Sequence, residues 1–269
     1  MLGSVSYPEY LFESEFLKNL EVLRSTISNL GFDCERIDSS WQDLDLELKE
    51  LSIFSVGRII FLHTKFHSEI YIGKQRKLLT LKVFLKTLIK VLRDLLILNR
   101  EDFGTKHLRH FLLNEYITDK HLSILGRFLN SDSKYLIVCE NDIVFQEHPS
   151  SFFPEIIEIA EKQDKSLFIN ISNNSPFSKA SEYFGGDLNS FAESNVWQQI
   201  DFFINGSATY FMNRKMASII YDFVVRQPNY RYCSIDWLFS LVGRKLNSDE
   251  VTCLIPQKNY IDNGSKLKG

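Results

Sequence analysis

The stretch that most constrains this chain is Lys134 to His148, KYLIVCENDIVFQEH, in which a continuous apolar run, Tyr135 to Cys139, stops at Glu140, Asn141 and Asp142 before Ile143, Val144 and Phe145 resume. An apolar run without polar alternation describes a strand covered on both faces, the habit of a mostly parallel α/β sheet. Ligands of such sheets bind beyond the carboxyl ends of the strands, so Glu140 and Asp142 are expected at a binding edge. Two carboxylates spaced i, i+2 around a bend can share a hard divalent cation, and that cation can in turn hold a diphosphate. Acids also follow buried strands for no chemical reason, so the motif alone leaves both readings open.

A chain of 269 residues with 44% apolar residues can bury one large α/β core or two small ones. The net charge of −3 argues against a surface coated in basic residues for nucleic acid. Cys34, Cys139, Cys233 and Cys253 are far apart and lack CxxC spacing, which speaks against a zinc site or a disulfide framework. The opening MLGSVSYPEYLFESEF lacks the basic and apolar blocks of a signal peptide, and no segment reaches 18 uncharged apolar residues. A cytoplasmic location is the expectation.

In chain order, a strand is expected at Ser4 to Tyr7, leaving Met1 to Ser4 as a leader foreign to the domain. Residues 15–30 carry Phe16, Leu17, Leu20, Leu23, Ile27 and Leu30 at helical spacing, and Gly31 stops that helix. The alternation in 32–38 predicts a short strand, and 51–62 a strand or a buried helix. Residues 70–115 read as a helical insertion whose core, Arg76 to Leu98, puts Lys82, Lys86, Lys90 and Arg93 on one face and Leu, Ile, Val and Phe on the other. Over 70–110 ten Lys and Arg stand against three acids, a local charge of +7. Such a helix either lies on an anionic leaflet or is a core helix with a solvated basic face.

A helix over Ile117 to Asn130, with Thr118 or Asp119 as N-cap, is expected to feed the acidic strand. Beyond that strand, the pattern predicts a helix over 154–163, a strand over 167–171 and a long irregular active-site loop over 172–201. Phe202 to Met212 reads as strand-turn-strand around Asn205-Gly206, Arg214 to Arg226 as a helix, and Val251 to Ile255 as a last strand. No repeat or linker divides the chain.

The segment LIVCENDIVF resembles the apolar-ExD-apolar motif of GT-A-fold glycosyltransferases, in particular the family 25 enzymes of bacterial lipooligosaccharide synthesis, whose motif reads roughly LEDD. Glu140 and Asp142 match its outer acids, and Asn141 departs from the middle one. FINGSATYFMNRKMA, Phe203 to Ala217, resembles the family's strand-turn segment before a helix, and Ser234-Ile235-Asp236-Trp237 resembles its short single-Asp motif. The likeness spans residues 118–265, with an echo in the first 40, where the family's opening apolar strand is poorly matched. It implies an α/β, GT-A-like single domain over 1–269, with a mixed, mostly parallel central sheet flanked by helices and an insertion at 70–115.

The resemblance further implies an inverting transfer of a sugar from a nucleotide-sugar donor to a glycan or glycolipid acceptor of the bacterial surface, with Mn²⁺ or Mg²⁺ as cofactor. Donor-binding residues are then Glu140, Asn141, Asp142, His121 and Ser265, the last in a tail, Asn263-Gly264-Ser265, similar to one that closes over the diphosphate. Asn205, Gly206 and Ser207 form the acceptor-side turn.

Read as chemistry, Asp142 assisted by Glu140 would hold the metal against the leaving diphosphate. Asp236 is the candidate base, because a carboxylate in a partly dry cleft is a better proton acceptor; it is equally suited to capping its own helix. Trp237 offers a face for stacking on an acceptor sugar. A catalytically inactive GT-A-like domain that binds a glycan, and a membrane-surface interaction protein built on 76–98, are the alternatives.

Overall fold

The computed structural model describes residues 1–5, 13–31, 36–39, 57–58, 61–62, 64–66, 85–86, 88–89, 106–140, 143–172, 197–199, 209–243, 245–246, 249–256 and 260–263. The strands are β1 (Leu2–Val5), β2 (Arg36–Ser39), β3 (Tyr135–Glu140), β4 (Ile143–Phe145), β5 (Ser166–Asn170), β6 (Trp197–Gln199), β7 (Thr209–Asn213), β8 (Val251–Pro256) and β9 (Ile261–Asn263). The helices are α1 (Glu13–Asn29), α2 (Lys106–Leu129), α3 (Phe153–Lys162), α4 (Arg214–Arg226) and α5 (Ile235–Gly243).

The acidic strand lies inside a seven-stranded sheet of order β2-β1-β3-β7-β5-β8-β6. The pairings give β1, β2, β3, β5 and β8 one direction and β6 and β7 the other, so the sheet is mixed and mostly parallel. Residues 136–140 are buried along β3, as an unbroken apolar run requires. One face carries α2, α4 and α5, whose Leu125, Phe128, Ile220 and Phe239 meet Leu136, Val138 and Met212. The opposite face carries α1 and α3, whose Leu23, Ile27 and Ile156 meet Ile137, Ile169 and Phe211.

The first strand corrects the expectation for the amino terminus. It runs from Leu2 to Val5 rather than Ser4 to Tyr7, and it pairs in parallel with both β2 and β3. Met1 is part of the fold, its ammonium donating to the Tyr135 carbonyl at 3.0 Å. Gly3 is required by packing: a Cβ there would stand 2.6 Å from Cγ2 of Ile124 on α2. The residue that makes the segment a poor strand by sequence is the one that lets a helix approach it.

Helix α1 ends at Gly31, whose φ of +83° is the left-handed conformation glycine adopts without strain. Helix α2 starts at Lys106, well before the expected Ile117, so residues 106–115 are continuous with the helix that leads to β3. Thr118 and Asp119 are therefore interior residues and not caps: the Thr118 hydroxyl donates to the Cys233 carbonyl at 2.6 Å, and Asp119 pairs with Arg231. At the end of α2 and in the turn that follows, Arg214 donates to the carbonyls of Leu129 at 2.8 Å, Ser133 at 2.9 Å and Phe128 at 3.3 Å, and to that of Ser131. Asn213 caps α4 by accepting from the Met216 amide and also binds Leu167 and Lys165, fixing that helix to β5.

A further expectation changes. The long loop over 172–201 contains β6, which pairs antiparallel with β8. Within 51–62, residues 57–58 and 61–62 are helical, with Leu62 buried in the core, and the rest of the stretch lies outside the described residues. Of the basic segment, residues 85–86 and 88–89 are helical and the rest of 76–98 lies outside the described residues.

Candidate functional site

The chain passes from β1 through α1 to β2 on one side of β1, while β3 lies on its other side. A sheet whose connections diverge in this way opens a crevice at the carboxyl ends of the two strands where they part, here β1 and β3. Val5 and Glu140, the last residues of those strands, are register partners. Glu140 therefore sits at the topological switch point.

Alternation along β3 directs Glu140 to the same side as Leu136 and Val138, towards α2. Glu140 is 7% exposed and meets His121 of α2, which is fully buried. Nε2 of His121 stands 3.4 Å from Oε1 of Glu140, an ion-pair separation without the alignment of a hydrogen bond. On its other side, Nδ1 of His121 is 2.7 Å from the Tyr210 hydroxyl, and the two rings stack at 5.6 Å. Burial, and then the nearby Glu140 carboxylate, hold the Tyr210 phenol well above its usual pKa, so it remains protonated. Tyr210 is a site residue that sequence reasoning passed over; the signal was a tyrosine inside an apolar strand, whose hydroxyl needs a partner when buried.

Asn141 and Asp142 lie outside the described residues, as do Gly264 and Ser265. Their neighbours are placed. β4, which begins immediately after Asp142, pairs antiparallel with β9, and Ile143 stands opposite Asn263. The tail thus returns to the acidic motif, with Gly264-Ser265 following the residue opposite Ile143. Asn205, Gly206 and Ser207 also lie outside the described residues, but they precede β7, whose first residue Thr209 pairs with Cys139 beside Glu140. The same edge holds buried polar groups at the end of β5, where the Ser172 hydroxyl donates to Asn170 at 3.2 Å and accepts from the Thr209 amide at 3.0 Å.

Asp236 occupies the first turn of α5, and its carboxylate accepts from the Trp237 amide at 2.9 Å. It meets the orphan donors of its own helix start, the local role that an acid at that position serves. Both Asp236 and Trp237 are half-buried. The bond from Thr118 to Cys233 ties the segment before Asp236 to α2 one turn from His121. One helix therefore braces both the Glu140 strand end and the approach to Asp236.

Glu140 supplies a hard carboxylate oxygen of the kind Mg²⁺ and Mn²⁺ prefer. Among the described residues no group of three His, Cys, Asp or Glu forms a metal site, so a cation at Glu140 would need Asp142 and the ligand's own oxygens. Two cavities lie elsewhere: one of about 130 Å³ at the amino ends of β1 and β3, lined by Met1, Tyr135 and Phe211, and a groove of about 340 Å³ between α2 and α4, lined by Leu122, Tyr221 and Val225. Neither is lined by Glu140 or Asp236.

No protein-family model and no curated protein matches the chain. Among the described residues, no helix is long and apolar enough to cross a membrane.

Proposed function

We propose that the chain is a GT-A-type glycosyltransferase, moving a sugar from a nucleotide-sugar donor to a glycan or glycolipid acceptor of the bacterial surface. The observation that carries the reading is the pairing of Val5 with Glu140 at the switch point of a mostly parallel sheet, with the ENDI motif leaving the sheet there. The pairing of Asn263 with Ile143 supports it, because Ile143 follows Asp142 directly in the sequence and Asn263 directly precedes Gly264-Ser265.

In this reading Asp142 and Glu140 would hold Mn²⁺ or Mg²⁺, which would supply charge neutralisation for the donor diphosphate. Asp236 takes the acceptor proton, Trp237 offers a stacking face, and the 205–207 segment approaches the acceptor. His121 is buried too deeply to touch the donor and acts on it through Glu140. Nucleotide-sugar turnover in the presence of Mn²⁺, with product detected by mass spectrometry, tests the assignment.

One observation favours a second reading, a catalytically inactive glycan-binding domain: the Glu140 carboxylate lies against His121, as a structural acid would. Binding of a nucleoside diphosphate without turnover of any sugar donor would select it. The setting proposed for either activity is the cytoplasmic face of a membrane, reached through 76–98, where Leu85 and Ile89 are 47% and 64% exposed beside Lys86.

A further inference from the structure

We infer that Tyr210 and His121 form a positioning relay that presents an N–H to Glu140, with the Tyr210 hydroxyl selecting the form of the imidazole that carries its proton on Nε2. The relay deepens the proposed donor site, since it assigns that site two residues that touch no substrate.

A neutral imidazole has one donor and one acceptor nitrogen, and which is which depends on the partners. His121 Nδ1 has the Tyr210 hydroxyl at 2.7 Å, and Nε2 has Oε1 of Glu140 at 3.4 Å and no hydrogen-bond partner among the described residues. If Nδ1 carried the proton of a neutral ring, the Nε2 lone pair would face a carboxylate oxygen in a fully buried site, where repulsion is little screened. If Nδ1 accepts from the Tyr210 hydroxyl, Nε2 carries the proton and faces Glu140 with the favourable sign. In a doubly protonated ring Nε2 still carries a proton, and the tyrosine oxygen accepts from Nδ1. With Glu140 ionised, both forms put N–H towards its carboxylate.

Three elements hold this arrangement. Tyr210 is on β7, paired with Val138 two residues before Glu140, and His121 is on α2 above both strands. Tyr210 is itself wedged between Phe168, at 5.5 Å, and Phe239, at 5.0 Å, so its hydroxyl has a fixed direction. A carboxylate at a strand end has several rotamers; an N–H fixed by a helix and a second strand restricts them. Partners of this type orient metal-binding carboxylates in general.

The test uses the full chain and two readouts. Long-range proton–nitrogen correlation of the histidine rings, with the His121 signals assigned by their loss in His121→Asn, reports which nitrogen is protonated. A proton on Nε2 in the parent, with Tyr210→Phe shifting the ring towards the other tautomer, is the expected result. A neutral parent ring protonated on Nδ1 overturns the relay. Titration of uridine diphosphate with Mn²⁺ then asks whether the relay serves the site: Tyr210→Phe and His121→Asn should weaken binding by about tenfold to a hundredfold, and His121→Gln, which can place an N–H near the Nε2 position, should restore part of it. Equal binding by the parent and Tyr210→Phe overturns the positioning role. A parent that shows the Nε2 proton yet binds no nucleoside diphosphate, with the other common bases also tried, overturns the donor-site reading and leaves the ring geometry standing.

Discussion

Glu140 ends β3 directly beside Val5, the last residue of β1, so the edge of the sheet that carries this acid is also the edge where the first strand stops. The position of that edge depends on how closely α2 lies over β1, and Gly3 sets the approach. Gly3→Ala places a methyl group 2.6 Å from Ile124 and should destabilise the fold by about 1–3 kcal/mol, the usual cost of overfilling a packed contact. Urea unfolding with fixed m-value reads the loss directly, and an unchanged midpoint would mean that Ile124 yields.

Arg214 links the end of α2 to the start of β3 through four carbonyls. Arg214→Ala should lower stability by about 2 kcal/mol or more, because charged donors contribute more than neutral ones and the helix end is left unsatisfied. Arg214→Lys should recover little, since a single ammonium cannot reproduce the fork. Thermal unfolding of the pair distinguishes hydrogen bonding from charge.

Asp236 serves its own helix by accepting from the Trp237 amide. Asp236→Asn keeps an oxygen for that bond and removes the proposed base, so it should lower kcat by about two to four decades with little change in donor affinity or melting temperature. A fall in melting temperature in step with the rate would leave the residue only its helix role.

The central strand was legible because Tyr135 to Cys139 is an uninterrupted apolar run, a pattern set by burial on both faces and therefore visible without the fold. β1 was misplaced because Gly3 interrupts its run, and the reason for that glycine, Ile124, lies on a helix far away in sequence. The start of α2 was missed because Thr118 and Asp119 have the chemistry of caps, while their partners Cys233 and Arg231 are set by tertiary packing. β6 escaped notice because Trp-Gln-Gln carries little strand signal and is held by β8. Glu140 was readable from sequence as the acid that ends the strand, and the Tyr210–His121 pair behind it required the sheet register.

The segment 76–98 makes an independent prediction. Leu85 and Ile89 are exposed one helical turn apart beside Lys86, an arrangement suited to an anionic leaflet. Replacing Lys82, Lys86, Lys90 and Arg93 with Gln should leave folding intact and reduce partitioning to acidic vesicles by roughly three decades at low salt, at about 1 kcal/mol for each residue. High salt should mimic the substitution in the parent. Cosedimentation that is equal for both proteins and indifferent to salt would assign the stripe to solvent.

The glycosyltransferase reading depends most on the acids that leave β3. Calorimetric titration of nucleoside diphosphates into the parent and Asp142→Ala, with and without Mn²⁺, tests it most directly. The parent should bind one of them in a Mn²⁺-dependent manner, and Asp142→Ala should lose that binding, because a metal-ligating carboxylate contributes several kcal/mol of diphosphate stabilisation. Asn141→Asp should bind as the parent does. Metal-independent binding of equal strength in the parent and Asp142→Ala, or no binding of any nucleoside diphosphate by the parent, would contradict the account.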